Sequence, residues 1–145
     1  MAEENKRKIA IFGSTGSIGT QALKVIKALP DLFEVEILTA QNNESLLIEQ
    51  ALQFRPNVVV IGDERKYVAV KEALSSTDIK VFAGEKSIEQ AAEFDTYDVM
   101  LSAIVGFAGL KPTLIALEQG KAIALANKES LVVAGDLVMK LAVEK

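Results

Sequence analysis

The chain has no cysteine, no histidine and no tryptophan, and only three prolines. Without Cys or His it cannot build a zinc finger, a disulfide scaffold, an iron–sulfur site or a Ser-His-Asp or Cys-His nucleophile from its own residues. A metal bound by this chain would need carboxylates. Positive charge is also scarce, since 16 Lys and Arg stand against 20 Asp and Glu, a formal net charge of −4 with no basic block. A face for a nucleic-acid backbone is therefore not expected. No apolar stretch reaches the roughly 18 to 20 residues of a membrane span, and the charged residues 1–8 lack the apolar run of a secretory signal. The expectation is a cytoplasmic chain that uses no membrane, with residues 1–7 as a short flexible tail.

What is present is half apolar, 50% of 145 residues, enough for one core. Runs rich in Val and Ile start near Lys8, Phe33, Asn57, Lys80, Asp98 and Lys121, about 18 to 26 residues apart. That spacing holds one strand, one helix and two loops. The runs are continuous rather than alternating, as in strands covered on both faces. Between them lie helix signals. Ser17 is placed to cap a helix that Pro30 ends, and Asn43 precedes residues 44–54, where Leu47, Ile48, Ala51 and Leu52 share a face. Asp63 opens a helix to about Leu74, Ser87 opens one to Phe94, and Pro112 sits in the first turn of one that ends at Gly120. The fold expected is α/β, a doubly wound, Rossmann-type parallel sheet of about six strands with helices on both faces, over residues 8–145.

The first strand runs into Gly13-Ser14-Thr15-Gly16-Ser17-Ile18-Gly19. In a strand-to-helix turn, one glycine allows the bend, a second lets the backbone approach a pyrophosphate, and a third lets the helix pack on the strand, while N–H groups of the helix start face the anion. The hydroxyls of Ser14, Thr15 and Ser17 are candidate phosphate partners. The alternative is a helix start that merely prefers small residues. No Gly-Lys-Ser/Thr follows, which excludes a Walker A loop.

After the second strand an acidic residue would bind a ribose 2'-hydroxyl, whereas a 2'-phosphate needs neutral or basic groups. Here the chain reads Ala40-Gln41-Asn42-Asn43, and Glu34 and Glu36 come too early in the strand to reach the ribose. The chemistry favours NADP over NAD, held by amides. Ser102 to Gly109 is small enough to line a flat ring. Asn127, Lys128 and Glu129 follow the last apolar strand; on residue type alone Asn127 reads as a helix cap, Glu129 as a first-turn acid and Lys128 as a solvated charge. Residues 130–143 are apolar around nearly the whole helical circumference, which implies a helix buried on more than one side by something outside this chain.

Three motifs in order, Gly13-Ser-Thr-Gly-Ser-Ile-Gly19, Asp98-Val-Met-Leu-Ser-Ala-Ile-Val-Gly106 and Leu125-Ala-Asn-Lys-Glu-Ser-Leu131, closely resemble those of the 1-deoxy-D-xylulose 5-phosphate reductoisomerases. The resemblance implies an NADPH-dependent enzyme of non-mevalonate isoprenoid biosynthesis, homodimeric, with Mg or Mn. It converts 1-deoxy-D-xylulose 5-phosphate to 2-C-methyl-D-erythritol 4-phosphate. It implies that Thr15, Gly16, Ser17 and Ile18 hold the NADPH phosphates and that Gln41, Asn42 and Asn43 hold the adenosine ribose phosphate. Asn127 and Glu129 are implied as cofactor contacts, and Lys128 as a substrate contact, reversing the reading of Lys128 as a surface charge. Family members often carry a basic residue where this chain has Gln41-Asn42. The family's metal carboxylates and mobile loop follow the segment matching residues 131–143, so the chain reads as the N-terminal cofactor domain, with no catalytic residue of its own and inactive alone. Two other readings stay open on residue type: a stand-alone nucleotide-binding regulatory module, and the cofactor domain of another NADP-dependent dehydrogenase.

Overall fold

In a computed structural model, which describes residues 6–104 and 106–125, the apolar runs form strands and the segments between them helices. In chain order these are β1 (Arg7–Phe12), α1 (Ser17–Ala28), β2 (Phe33–Ala40), α2 (Glu44–Phe54), β3 (Val58–Ile61), α3 (Tyr67–Ala73), β4 (Lys80–Ala83), α4 (Glu85–Ala92), β5 (Val99–Ser102), α5 (Leu110–Glu118) and β6 (Ala122–Leu125). All neighbouring strands pair in parallel, in the order β4-β3-β2-β1-β5-β6. The chain thus winds outward from β1 to one edge, crosses back, and continues on the other side of β1. β1 takes in Arg7, one residue before the expected start. The expected helix over residues 130–143 lies outside the described residues.

Successive side chains of β1 go to opposite faces, as a strand's pleat requires. Ile9 and Ile11 join one core, with Leu23 and Ile26 of α1, Leu47 and Ala51 of α2 and Val70 of α3. Ala10 and Phe12 join the other, with Ile88, Ala91 and Ala92 of α4 and Ala116 of α5. Both faces of the sheet are covered, which is why the strands read as continuous apolar runs. Phe12, Ile11, Ile37, Leu38 and Val59 are fully buried, each contributing about 1.5 to 3 kcal/mol of transfer free energy.

β2 carries an irregularity that explains its acidic residue. Ile9 pairs with Val35 and Ala10 with Ile37, so Glu36 is an extra residue in the ladder. The bulge sends Val35 and Ile37 to opposite cores. The Glu36 carboxylate is buried and accepts both contacts of the Asn57 amide, at 2.9 and 3.0 Å. Glu36 is thus engaged within the fold by Asn57.

Two helix starts differ from the sequence reading. Ser17 is not the cap of α1: Gly16 holds that position, and no side chain among the described residues bonds to the helix start. Ser87 lies inside α4, whose cap is Gly84; its hydroxyl donates back to the Ala83 carbonyl at 2.7 Å. A serine three residues into a helix satisfies its hydroxyl locally and so imitates a cap signal. Asn43 and Asp63 do cap as expected, accepting from the backbone N–H groups of Leu46 and Arg65. The Asp63 segment begins as a 3-10 turn over Glu64–Lys66 before α3. On α2 the buried face is Leu47, Gln50 and Ala51, while Leu52 stands 42% exposed.

Candidate functional site

The winding reverses between β1 and β5, and in open parallel sheets the crevice beyond the strands' carboxyl ends at that point is where ligands bind. A cavity of about 480 Å³ opens there. Gly13, Thr15 and Gly16 line it from the end of β1, Thr39, Ala40 and Gln41 from the end of β2, and Ala103 and Ile104 from the end of β5. Lys111 and Pro112 of α5 and Glu85, Ile88 and Glu89 of α4 complete the wall; Lys111 pairs with Glu89 at 3.2 Å.

The glycine loop sits in this crevice under two constraints. Gly13 has φ +94°, and a Cβ there would stand 2.9 Å from the Ala103 backbone, so only glycine allows the bend and the close approach of β5. A Cβ on Gly19 would collide with the Gly13 carbonyl and lie 2.7 Å from Ser14 Cα, so α1 packs directly on the turn. Gly16 differs, since a Cβ there would meet its nearest neighbour at 3.8 Å. The space beside Gly16 is open to a ligand, as expected for the glycine that lets a pyrophosphate approach.

The missing cap on α1 has a chemical result. The first N–H groups of a helix have no partner within it. Here no hydrogen bond to a described residue is made by the N–H groups of Thr15, Ser17, Ile18 and Gly19. The first turn of α1 also has no acidic residue. A side-chain cap at Ser17 would have consumed a donor; with Gly16 at the cap they all stay available to an anion, to whose attraction the helix dipole would add. Thr15 and Gly16 line the cavity, whereas Ser17 and Ile18 are exposed on the first turn beside it, Ile18 at 44%.

Ser14 is not a phosphate partner. Its side chain is fully buried, its hydroxyl donates to Gln50 Oε1 at 2.8 Å, and Gln50 Nε2 donates back to the Ser14 carbonyl at 2.9 Å. Ser14 N–H donates to the Thr39 carbonyl at 2.8 Å, and Gly13 N–H to Thr39 Oγ1 at 3.1 Å. The loop is therefore held from behind by α2 and β2. Sequence reasoning missed Gln50; its signal was a polar residue within the Leu47–Ala51 face of an otherwise apolar helix side. Ser102 and Thr113 form a similar buried pair at 2.8 Å, and Thr113 also donates to the Gly109 carbonyl at 2.7 Å, tying α5 to the end of β5.

Of the second loop, Gln41 lines the cavity, while Asn42 and Asn43 are exposed beyond it. Gln41 lies over Gly62 at the end of β3, where a Cβ would meet its amide at 2.6 Å. Asn43 Oδ1 is engaged in capping α2, which leaves its amide N–H groups for a ligand. Lys66 reaches the loop from the following unit, donating to the Asn42 carbonyl at 2.6 Å and to Glu44 Oε1 at 3.1 Å. This hydrogen bond from Lys66 lowers the Glu44 pKa. Arg65, bonded through both side chain and backbone, holds Asp63 down at about 2. Asn127, Lys128 and Glu129 lie outside the described residues. Among the described residues no group of three metal-ligating side chains gathers, and no helix is long and apolar enough to cross a membrane.

The sequence profile of 1-deoxy-D-xylulose 5-phosphate reductoisomerase matches residues 9–135. The chain belongs to that reductoisomerase family. A Bacteroides fragilis 1-deoxy-D-xylulose 5-phosphate reductoisomerase is 58% identical over 142 residues, covering 98% of this chain and 37% of the relative. The reductoisomerase of Zymomonas mobilis, solved in complex with NADPH, superposes with a TM-score of 0.91 at 40% identity, over 96% of this chain and 36% of that one. A reductoisomerase solved with NADPH, fosmidomycin and magnesium gives 0.89 at 36% identity, over 95% of this chain and 34% of that one. The chain thus spans little more than a third of the reductoisomerases it matches. The readings as a separate regulatory module or as another dehydrogenase's cofactor domain have no comparable support.

Proposed function

We propose that this chain is the NADPH-binding domain, over residues 8–145, of an enzyme that rearranges 1-deoxy-D-xylulose 5-phosphate and reduces the resulting aldehyde to 2-C-methyl-D-erythritol 4-phosphate. One observation carries the reading: four N–H groups with no partner among the described residues, at a helix start without a side-chain cap among them, beside an open glycine, at the switch point of a parallel sheet. The residues fit a dinucleotide. Thr15, Gly16, Ser17 and Ile18 would hold its pyrophosphate through backbone N–H groups and hydroxyls, with Ile18 offering an apolar surface. Gln41, Asn42 and Asn43 would hold the adenosine ribose and its phosphate. The apolar residues after β5, Ala103 and Ile104, would back the nicotinamide. When bound, the cofactor supplies the hydride. The chain's part is to orient it by holding both ends in the rigid crevice.

Residues Asn127 and Glu129 as cofactor contacts, and Lys128 as a contact to the sugar phosphate, extend this reading on motif similarity. So do a divalent Mg or Mn held by carboxylates beyond this chain, a homodimeric enzyme and a cytoplasmic location. The test is titration of the 145-residue chain with NADPH, followed by calorimetry or by the fluorescence of the reduced nicotinamide. Saturable binding without turnover of 1-deoxy-D-xylulose 5-phosphate is the expected result. No binding at millimolar NADPH would overturn the cofactor assignment, and turnover by the chain alone would overturn its role as a domain lacking catalytic residues.

A further inference from the structure

We propose that Lys66, not a residue of the 41–43 loop, supplies the positive charge that selects a 2'-phosphorylated dinucleotide, and that Glu44 holds this ammonium until the phosphate replaces it. The proposal rests on the reading of the crevice as an NADPH site. A 2'-phosphate brings an additional negative charge to the end of β2, where the loop itself offers only amides. The surroundings are otherwise acidic, with Glu44, Asp63 and Glu64 all in the same two turns. Without a cation the phosphate would meet net repulsion.

Three cations lie near enough to consider. Arg65 is committed to Asp63 by two side-chain hydrogen bonds, at 2.8 and 3.0 Å, and its side chain is 88% exposed. Lys111 lines the cavity from α5 and is paired with Glu89. Lys66 alone touches the loop, through the Asn42 carbonyl at 2.6 Å, and its side chain is only 32% exposed, so its charge is less screened than a surface lysine's. An ammonium has three donors. Two are engaged, by Asn42 and by Glu44, and the third has no partner among the described residues. In this proposal a ribose 2'-phosphate displaces the Glu44 carboxylate, which accepts from Lys66 at 3.1 Å, just beyond the residues that line the cavity. A phosphate of two negative charges competes well against one carboxylate for the same ammonium.

This arrangement also accounts for the sequence. A basic residue within the loop becomes unnecessary when the next strand-helix unit provides one, and Gln41 lies over Gly62 of that unit. The Asp63 N–H bond to the Gln41 carbonyl at 2.8 Å fixes the Lys66 turn against the loop.

The test measures the affinities of the 145-residue chain for NADPH and NADH in the wild type, Lys66→Ala, Lys66→Arg and Glu44→Gln, with thermal melts to confirm folding. Lys66→Ala is expected to weaken NADPH binding about tenfold, the loss of one charge-assisted contact, and to leave NADH within about twofold. Lys66→Arg should retain the preference, and Glu44→Gln, which releases the ammonium, should increase it. A purely structural role for Lys66 would lower both affinities together, and that result would overturn the proposal. So would unchanged NADPH binding in Lys66→Ala, or a Glu44→Gln variant that loses NADH alone, which would make Glu44 the reader of a 2'-hydroxyl. If Lys66→Ala does not fold, Glu44→Gln and Lys66→Arg decide. A wild type that binds neither dinucleotide overturns the cofactor reading itself, and this proposal with it.

Discussion

Replacing Gln50 with leucine is expected to destabilise the chain by about 2 to 4 kcal/mol and to weaken dinucleotide binding as well. The side chains are close in volume, leucine being slightly the larger, so the substitution opens no cavity and the hydrogen bonds decide the result. Gln50 accepts from Ser14 Oγ at 2.8 Å and donates to the Ser14 carbonyl at 2.9 Å, both in fully buried surroundings. Leucine leaves that hydroxyl and that carbonyl without partners, at about 1 to 3 kcal/mol each. Part is recovered if the hydroxyl rotates toward another acceptor, which places the sum near the lower half of the range. Ser14→Ala leaves only Gln50 Oε1 unpaired and is expected to cost about 1 to 2 kcal/mol. Urea denaturation of the two single variants and the double variant completes a cycle, and the pair should couple by about 1 kcal/mol or more because both changes remove the bond from the Ser14 hydroxyl to Gln50 Oε1. A Gln50→Leu cost below about 0.5 kcal/mol, or additive singles, would refute the view that this clamp holds the glycine loop. The functional corollary is that Gln50→Leu weakens NADPH and NADH alike, since the loop presents N–H groups to the pyrophosphate common to both.

Gly19→Ala puts a methyl group against the Gly13 carbonyl and Ser14 Cα, both backbone, and is expected to lower stability by about 1 to 3 kcal/mol in a denaturant melt. Gly62→Ala meets only the flexible end of Gln41, so a melt should show little change, while titration should show NADPH binding weakened several-fold as that amide is pushed aside. Asp63 titrates at about 2 against an ordinary value of 3.8. Its contribution is therefore fully present above about pH 4 and lost as pH falls toward 2. Denaturation midpoints of wild type and Asp63→Asn should accordingly converge over that window, and a constant difference would speak against the Arg65 pairing.

Much of the fold was legible because its signals are local. Continuous Val and Ile runs mark strands covered on both faces, and prolines 30 and 56 mark where α1 and α2 must stop. Asn43 and Asp63 declared their helix starts because an Asx side chain caps only its own neighbours. Where two local signals competed, the reading slipped. Ser17 and Ser87 look like caps, but a glycine ahead of each takes the position, and the serine falls inside the helix. The family resemblance added the order of the three motifs, which local periodicity cannot supply.

By itself the sequence determined a parallel sheet covered on both faces, the glycine loop at the end of β1 and the amide loop at the end of β2, because each depends on residues within one turn or one strand. Only the tertiary structure decided what those loops face. Ser14 turns inward because Gln50, 36 residues away, meets it. The start of α1 stays open because Gly16 replaces Ser17 as the cap, Lys66 arrives at Asn42 from 24 residues on, and β5 closes on Gly13 because the winding reverses at β1. These contacts follow from how the crossovers place whole units against one another, and no pattern of nearest neighbours along the chain contains that information.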